Sequence, residues 1–569
     1  MHSLFRTSKI LFLAIATIIL LALSIFLQSF AIAQSVSNQG LSGTGAVTYL
    51  PKQGSECLRP VVGSLVLPPR DLYSSNGVLS VALDYYTSLD DKGRTVFCFV
   101  TPDGNVAPTL HVKPGDIFKL DVTNRVPTGI VMQKVSTSCG ESVMYDSSLN
   151  VHFHGTLVSP KCTKDDIIDT VINSGDTFQY NIDIPTDEPP GLYWYHPHLH
   201  GLAESALLGG GSGALIVDDI QNFVPKIAGM AQRVLVIRDQ ITVGATNPPG
   251  AVDKYGVVVP TWDMSLNYVP VPYTSGVTTP APLIEMQAGR PELWRVVNAS
   301  ADSILDFQIL YDGVLQQLEV VGLDGVPTGS QDGTRQGTPV IRSTIAMPPA
   351  ARVEFILKAP MPGVRVAVVK TLSIDTGPGG DSDPSRILAT IRNTANGTAL
   401  PNLPASQKPW AQRFENLASQ PVTAQRKFYF SEVLSDPTNP ASPTDFFITE
   451  AGKTPVKYYP GIPPAIVTTQ GNVEEWTIEN RSLEKHVFHI HQIHFMLMSV
   501  NGATLPAIDQ QFHDDYTVDY WKGSGNPYPN IKVKMDFRGP IVGDFVYHCH
   551  ILGHEDNGMM AAIRVLPKP

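Results

Sequence analysis

Near its C-terminus the chain reads Tyr547-His548-Cys549-His550-Ile551-Leu552-Gly553-His554-Glu555-Asp556-Asn557-Gly558-Met559. A cysteine lies between two histidines, a third histidine follows five residues on, and a methionine ten residues on. Together they form a set of soft and borderline ligands that suits copper electron transfer. On a strand, alternate side chains leave opposite faces. Cys549 then serves one pocket while His548 and His550 serve another, and three residues of backbone join the two.

The remaining histidines are just as unevenly placed. Of fifteen, His2 lies at the N-terminus, and His111 and His513 stand alone and read as surface residues. None falls between Gly201 and Lys485. The other twelve form four clusters: His152-Phe153-His154, then His196-Pro197-His198-Leu199-His200, then His486-Val487-Phe488-His489-Ile490-His491-Gln492-Ile493-His494, and the stretch above. Each contains a His-x-His pair, which on a strand sets two imidazoles on one face at metal-bridging separation. A single pair is as readily structural, but four pairs in two regions point to a metal cluster.

The elements that must position these groups are strands. Glycine and proline are abundant, charged residues are 16% of the chain, and short runs of Val, Ile, Leu, Thr and Tyr alternate with turn residues. This pattern predicts an all-β sandwich or barrel protein with few helices. A repeat is visible: Gly115 leads to Asn124, Gly289 to Asn298 and Gly471 to Asn480, each across an alternating strand. The glycines stand about 174 and 182 residues apart, the size of a sandwich domain with insertions, so three homologous β-domains are expected. The boundaries read as 34–221, 222–395 and 413–569, with a linker at 396–412.

Aligning the repeats separates the copies. His196-Pro197-His198 stands before the strand ending at Val217 as His548-Cys549-His550 stands before the strand ending at Val565. Proline replaces cysteine in the first domain, which therefore keeps paired histidines without the thiolate. The corresponding strand of the second domain, near Leu305-Asp306-Phe307-Gln308, has no histidine, and this domain is expected to be a metal-free spacer.

The four clusters resemble the copper-binding motifs of the multicopper oxidases, laccase-like enzymes of three consecutive cupredoxin-like Greek-key domains. The resemblance spans essentially the whole chain after residue 33. It implies four copper ions: a type 1 ion on His486, Cys549 and His554 with Met559 axial, a type 2 ion on His152 and His489, and two type 3 ions on His154, His196, His198, His491, His548 and His550. It further implies one-electron oxidation of a small donor at the type 1 site, transfer through Cys549 to its histidine neighbours, and four-electron reduction of dioxygen to water. Glu555 is the proton-donor candidate, with Asp165 or Asp166 on the opposite side. His200 and His494 read as supports that hydrogen-bond to ligands. Two departures from the family pattern are Val487, where proline is usual, and Gln492, where glycine is frequent.

Arg6 and Lys9, the apolar run Ile10–Leu27 and Ala31-Ile32-Ala33 read as a secretory signal over residues 1–33, with an uncleaved anchor as the alternative. The net charge of −11 argues against a nucleic-acid partner, and no later segment is long and apolar enough to span a bilayer. A secreted or periplasmic protein is expected. If Cys549 is a ligand, Cys57, Cys98, Cys139 and Cys162 remain. Three pairings are possible, and Cys57–Cys98 with Cys139–Cys162 is favoured because each closes a local loop. Asn298 and Asn396 match the glycosylation pattern.

The leading reading is an oxidase of phenolic and aromatic donors with dioxygen. A second is a metallo-oxidase of Cu(I), Fe(II) or Mn(II), although no methionine-rich insert is present. From another class comes a non-catalytic copper-binding or electron-carrier protein, which needs no more than the thiolate site. A copper nitrite reductase shares that site but does not need four His-x-His pairs.

Overall fold

The computed structural model describes residues 56–135, 139–241, 262–273, 279–335, 337–381, 383–409, 411–439 and 442–569. The expected signal segment 1–33 lies outside them. The described residues are almost entirely strand and loop, with two short α-helices, Ala203–Leu208 and Leu552–Asp556.

One sheet topology occurs three times. In the first copy a sheet runs, in spatial order, Thr109–Val112, Gly213–Val217, Gly191–His196, His152–His154. In the second the order is Leu283–Gln287, Arg386–Thr394, Ala367–Leu372, Leu305–Tyr311, and in the third Ile466–Thr469, Met560–Leu566, Gly543–Cys549, His486–Ile490. The first pair in each is parallel and the later pairs are antiparallel. The facing sheets repeat as well. Each carries one parallel pair, Val78–Leu89 with Ile117–Asn124, Ala231–Ile241 with Pro291–Asn298, and Ala424–Leu434 with Val473–Asn480. Each pair of sheets closes on its own aromatic core, around Phe118 and Phe153, around Trp294 and Phe307, and around Trp476 and Phe488. This is the cupredoxin-like architecture expected.

The repeated Gly-to-Asn pattern has a physical cause. Gly115, Gly289 and Gly471 all have positive φ, which glycine adopts without a Cβ clash. Nine residues later each asparagine locks a buried corner. Asn124 Nδ2 donates to the carbonyls of Ser147 and Ile172, Asn298 to those of Ser303 and Met347, and Asn480 to those of Glu484 and Val518. Each Oδ1 accepts the N–H two residues on. Because both donors of Asn298 are used in the interior, its match to the glycosylation pattern is overturned.

Other expectations are also refined. The disulfides are Cys57–Cys98 and Cys139–Cys162, as favoured. His111 is not a surface residue: it is buried, with Nδ1 3.0 Å from Asp218 and Nε2 3.1 Å from Asp71. His513 is half-buried, 2.6 Å from Asp324. Within the expected linker, Pro401 and Leu403 touch the second copy, through Gln232 N–H to Pro401 O and Leu403 N–H to Met230 O. Chain from the N-terminal side also joins that copy, since Leu65 pairs with Leu283 and Val66 is buried in the second core.

Candidate metal centre

Strand register does the first assembly step. His152–His154 pairs antiparallel with Gly191–His196, setting His152 opposite His196. His486–Ile490 pairs with Gly543–Cys549, setting His489 opposite His548 and Phe488 opposite Cys549. Each terminal copy thus joins its two clusters within one sheet. Three of the four His-x-His pairs straddle a strand end, so that His198, His491 and His550 lie just past their strands. The chain turns there, and the two imidazoles of a pair face different neighbours.

Docking of the first copy on the third does the rest. His152 stacks on His491 with ring centroids 4.0 Å apart, and His154 on His489 at 4.2 Å. Ligand nitrogens within 4.8 Å of one another form the trios His152–His154–His489, His154–His196–His550 and His198–His491–His548. All eight histidines are buried. The nitrogens His152 Nε2, His196 Nε2, His489 Nε2 and both of His550 have no protein partner, a costly state for interior polar atoms unless a cation satisfies them. Burial and the neighbouring imidazoles push the pKa of His154, His196, His198, His491, His548 and His550 well below the usual histidine value. Their lone pairs are therefore available to a metal.

The opposite ring nitrogens are aimed by the protein. His196 Nδ1 lies 2.8 Å from Pro197 O, His489 Nδ1 2.7 Å from Asp514 O, and His548 Nδ1 2.9 Å from Cys549 O. His152 Nδ1 sits 3.0 Å from both oxygens of Asp165, which also accept the Phe153 N–H and, at 2.6 Å, the Gln492 side chain. Such contacts fix tautomer and ring orientation. Gln492 has φ +56°, a strained value for a side chain with a Cβ, and its bond to Asp165 helps offset that strain across the two copies.

A second site forms beside the first. His486 Nδ1 and His554 Nδ1 are 3.0 Å apart, and Cys549 Sγ lies 3.6 and 3.7 Å from them. Burial pushes the Cys549 thiol up to about 12, so the thiolate forms when a cation is there to hold it. Met559 is fully buried, and its backbone brackets the site, N–H to His554 O and C=O to Cys549 N–H. Ser482 Oγ is 2.6 Å from His486 Nε2. His554 alone among these groups reaches solvent, its side chain 12% exposed. Phe446 stacks on the ring at 4.2 Å, and Glu484 Oε1 lies 3.4 Å from Nε2. Soft sulfur beside imidazole at one site, and imidazole alone at the other, is a donor set that copper fits.

The acidic candidates separate. Glu555 is buried 3.7 Å from His198 Nδ1, with both oxygens lacking hydrogen-bond partners, and burial next to Asp556 and Glu204 raises its pKa well above the carboxylate range. Asp165 orients His152. Asp166, raised to about 6 by burial, accepts the Asp169 N–H. His200 packs edge-on against Tyr458, and His494 Nε2 donates to Asp324 O.

Sequence reasoning missed Arg352. This second-copy residue is fully buried and forks onto Asp514 at 2.6 and 2.5 Å. Asp514 in turn lies 3.5 Å from His154 Nε2. The copy without histidines therefore braces the cluster. No motif marks Arg352. The glycine at 155 is its nearest trace, since a Cβ there would stand 2.4 Å from Arg352 Nη2.

Multicopper oxidase family models match residues 141–222 and 434–569. A multicopper oxidase of Staphylococcus haemolyticus is 24% identical over 495 residues, covering 84% of this chain and 88% of that protein. A laccase of Bacillus subtilis is 23% identical over 399 residues, covering 66% and 71%. Among solved structures, a multicopper oxidase from Campylobacter jejuni described as a metallo-oxidase superposes with a TM-score of 0.63 at 21% identity, covering 92% of this chain and 99% of that one.

Proposed function

This chain belongs to the multicopper oxidase family, and from that premise we propose that it oxidises a small donor one electron at a time and reduces dioxygen to water. One observation carries the reading: Cys549 of the sulfur site is bonded on either side to His548 and His550, which belong to two different imidazole trios. A carrier protein has no use for those trios.

We assign His486, Cys549, His554 and Met559 to type 1 copper, His152 and His489 to type 2, and His154, His196, His550 with His198, His491, His548 to the type 3 pair, four ions in all. Bound copper supplies reversible one-electron chemistry at the sulfur site and the electrons for dioxygen reduction at the cluster. The residues do the rest. The exposed edge of His554 meets the donor while Phe446 holds its ring in place. The backbone from Cys549 to its two neighbours is the short covalent path between sites. Glu555, whose burial favours its neutral form, presents its proton towards the cluster beside His198. We propose domains at 34–221, 222–395 and 413–569, with a linker at 396–412. Two disulfides and the apolar N-terminal run support export, and no helix among the described residues is long and apolar enough to cross a membrane.

The donor proposed is a phenol or aromatic amine, which meets the exposed edge of His554. A metal-ion donor is the second reading, favoured by the Glu432 and Asp381 charges close to Glu484. Copper content and oxygen uptake test both, with a simple phenol, Cu(I), Fe(II) and Mn(II) supplied in turn. Four coppers, a blue band and fastest uptake with the phenol are expected. Fastest uptake with a metal ion selects the second reading, and a blue four-copper protein that consumes no oxygen with any donor refutes the oxidase.

A further inference from the structure

The departure at Val487 has a geometric counterpart. Val487 lies fully buried on the strand that delivers His486 and His489. Its carbonyl accepts the His550 N–H at 2.8 Å. Its own N–H points to Cys549 Sγ at 3.4 Å, within range for a donor to sulfur and closer than either imidazole nitrogen of the site. The sulfur therefore has a main-chain donor held by the neighbouring strand, beside the Ile551 N–H of its own segment.

We propose that the Val487 N–H sets the reduction potential of the metal held by Cys549, raising it by hydrogen bonding to the thiolate. This rests on the type 1 assignment above. A donor on the sulfur draws off negative charge that the thiolate would otherwise give to the metal. The oxidised ion relies on that charge more than the reduced ion, so it is the more destabilised, and reduction becomes easier. The interior position strengthens the effect, because no water competes for the sulfur. The methionine expected at the axial position pulls the potential down, and the Val487 donor acts against it. This potential decides how readily weak donors give up electrons at His554.

The test uses the copper-loaded enzyme and two variants. Val487→Pro removes the N–H, while Val487→Ala keeps it and trims the side chain. Copper content, the thiolate absorption band and a redox titration are measured for each. The expected result is four coppers and a blue band in both variants, with the potential of Val487→Pro lowered and that of Val487→Ala close to wild type. An unchanged or raised potential in Val487→Pro overturns the proposal, as does an equal fall in Val487→Ala. If Val487→Pro does not load copper, pulsed electron paramagnetic resonance of wild-type enzyme with ¹⁵N-valine reads the contact directly. Coupling of the Val487 nitrogen to the type 1 spin supports the proposal, and its absence refutes it. A wild-type enzyme with no type 1 signal at all refutes the copper assignment instead.

Discussion

Arg352→Met removes the guanidinium of the histidine-free second copy from the wall of the histidine cluster while nearly keeping side-chain length. The wild-type group makes two short bonds to Asp514, lies 3.3 Å from Asp515, and donates to Ala350 O and Leu192 O. Removing one partner of a buried ion pair costs about 3–5 kcal/mol, because the other charge is left uncompensated. At roughly 2–4 °C per kcal/mol for a unit of this size, the metal-free protein should lose on the order of 10 °C in its unfolding midpoint. The pH dependence has a definite sign. Burial alone would raise the Asp514 pKa, but Arg352 reverses this and holds it well below the usual carboxylate range. The pair therefore contributes stability above the unfolded Asp value, about 3.9, and loses it as pH falls through the folded value. The gap between wild type and variant should be widest near neutrality and shrink in acid. Arg352→Met/Asp514→Asn should recover part of the loss, since no bare charge remains. In the copper-loaded enzyme, the type 2 resonance should broaden as His489, bonded through Nδ1 to Asp514 O, loses its support. A variant within about 1 kcal/mol of wild type at neutral pH, or a gap that does not narrow in acid, refutes the argument.

Cys549→Ser should abolish the blue absorption while the three cluster coppers stay bound, read by metal analysis and spectroscopy; loss of all copper would contradict two separable sites. Glu555→Gln keeps shape and removes the transferable proton, so turnover should drop about 100-fold with copper content and blue band unchanged, and near-wild-type oxygen uptake would exclude Glu555 as the donor. His111 is raised above its ordinary value, since the bonds to Asp218 and Asp71 outweigh its burial. That contribution is complete below about 6.5 and is lost as pH rises through the folded value. His111→Gln should therefore cost roughly 2 kcal/mol in mild acid and progressively less towards alkaline pH, measured by denaturant unfolding.

Local geometry made much of this protein legible in its sequence. The side-chain period of a strand is two, so His-Cys-His separates the sulfur from its flanking histidines without any tertiary knowledge, while three of the four His-x-His pairs run past their strand ends, where the turn and not the period aims each ring. The Gly-to-Asn interval is likewise local, one turn glycine and one strand ending at a corner amide, and it revealed the three copies. Cys57–Cys98 and Cys139–Cys162 close short loops and were favoured for that reason. Tertiary structure alone decided what depends on docking. The stacking of His152 on His491 and of His154 on His489, and with it the sorting of eight histidines into trios, is set by how the first and third copies meet. The burial of His111 between two aspartates, the insertion of Val66 into the second core and the reach of Arg352 to Asp514 are of the same kind. They join residues far apart in the chain, and no residue periodicity encodes such distances. The strand pattern states which face a side chain leaves; the packed neighbour determines what that face meets.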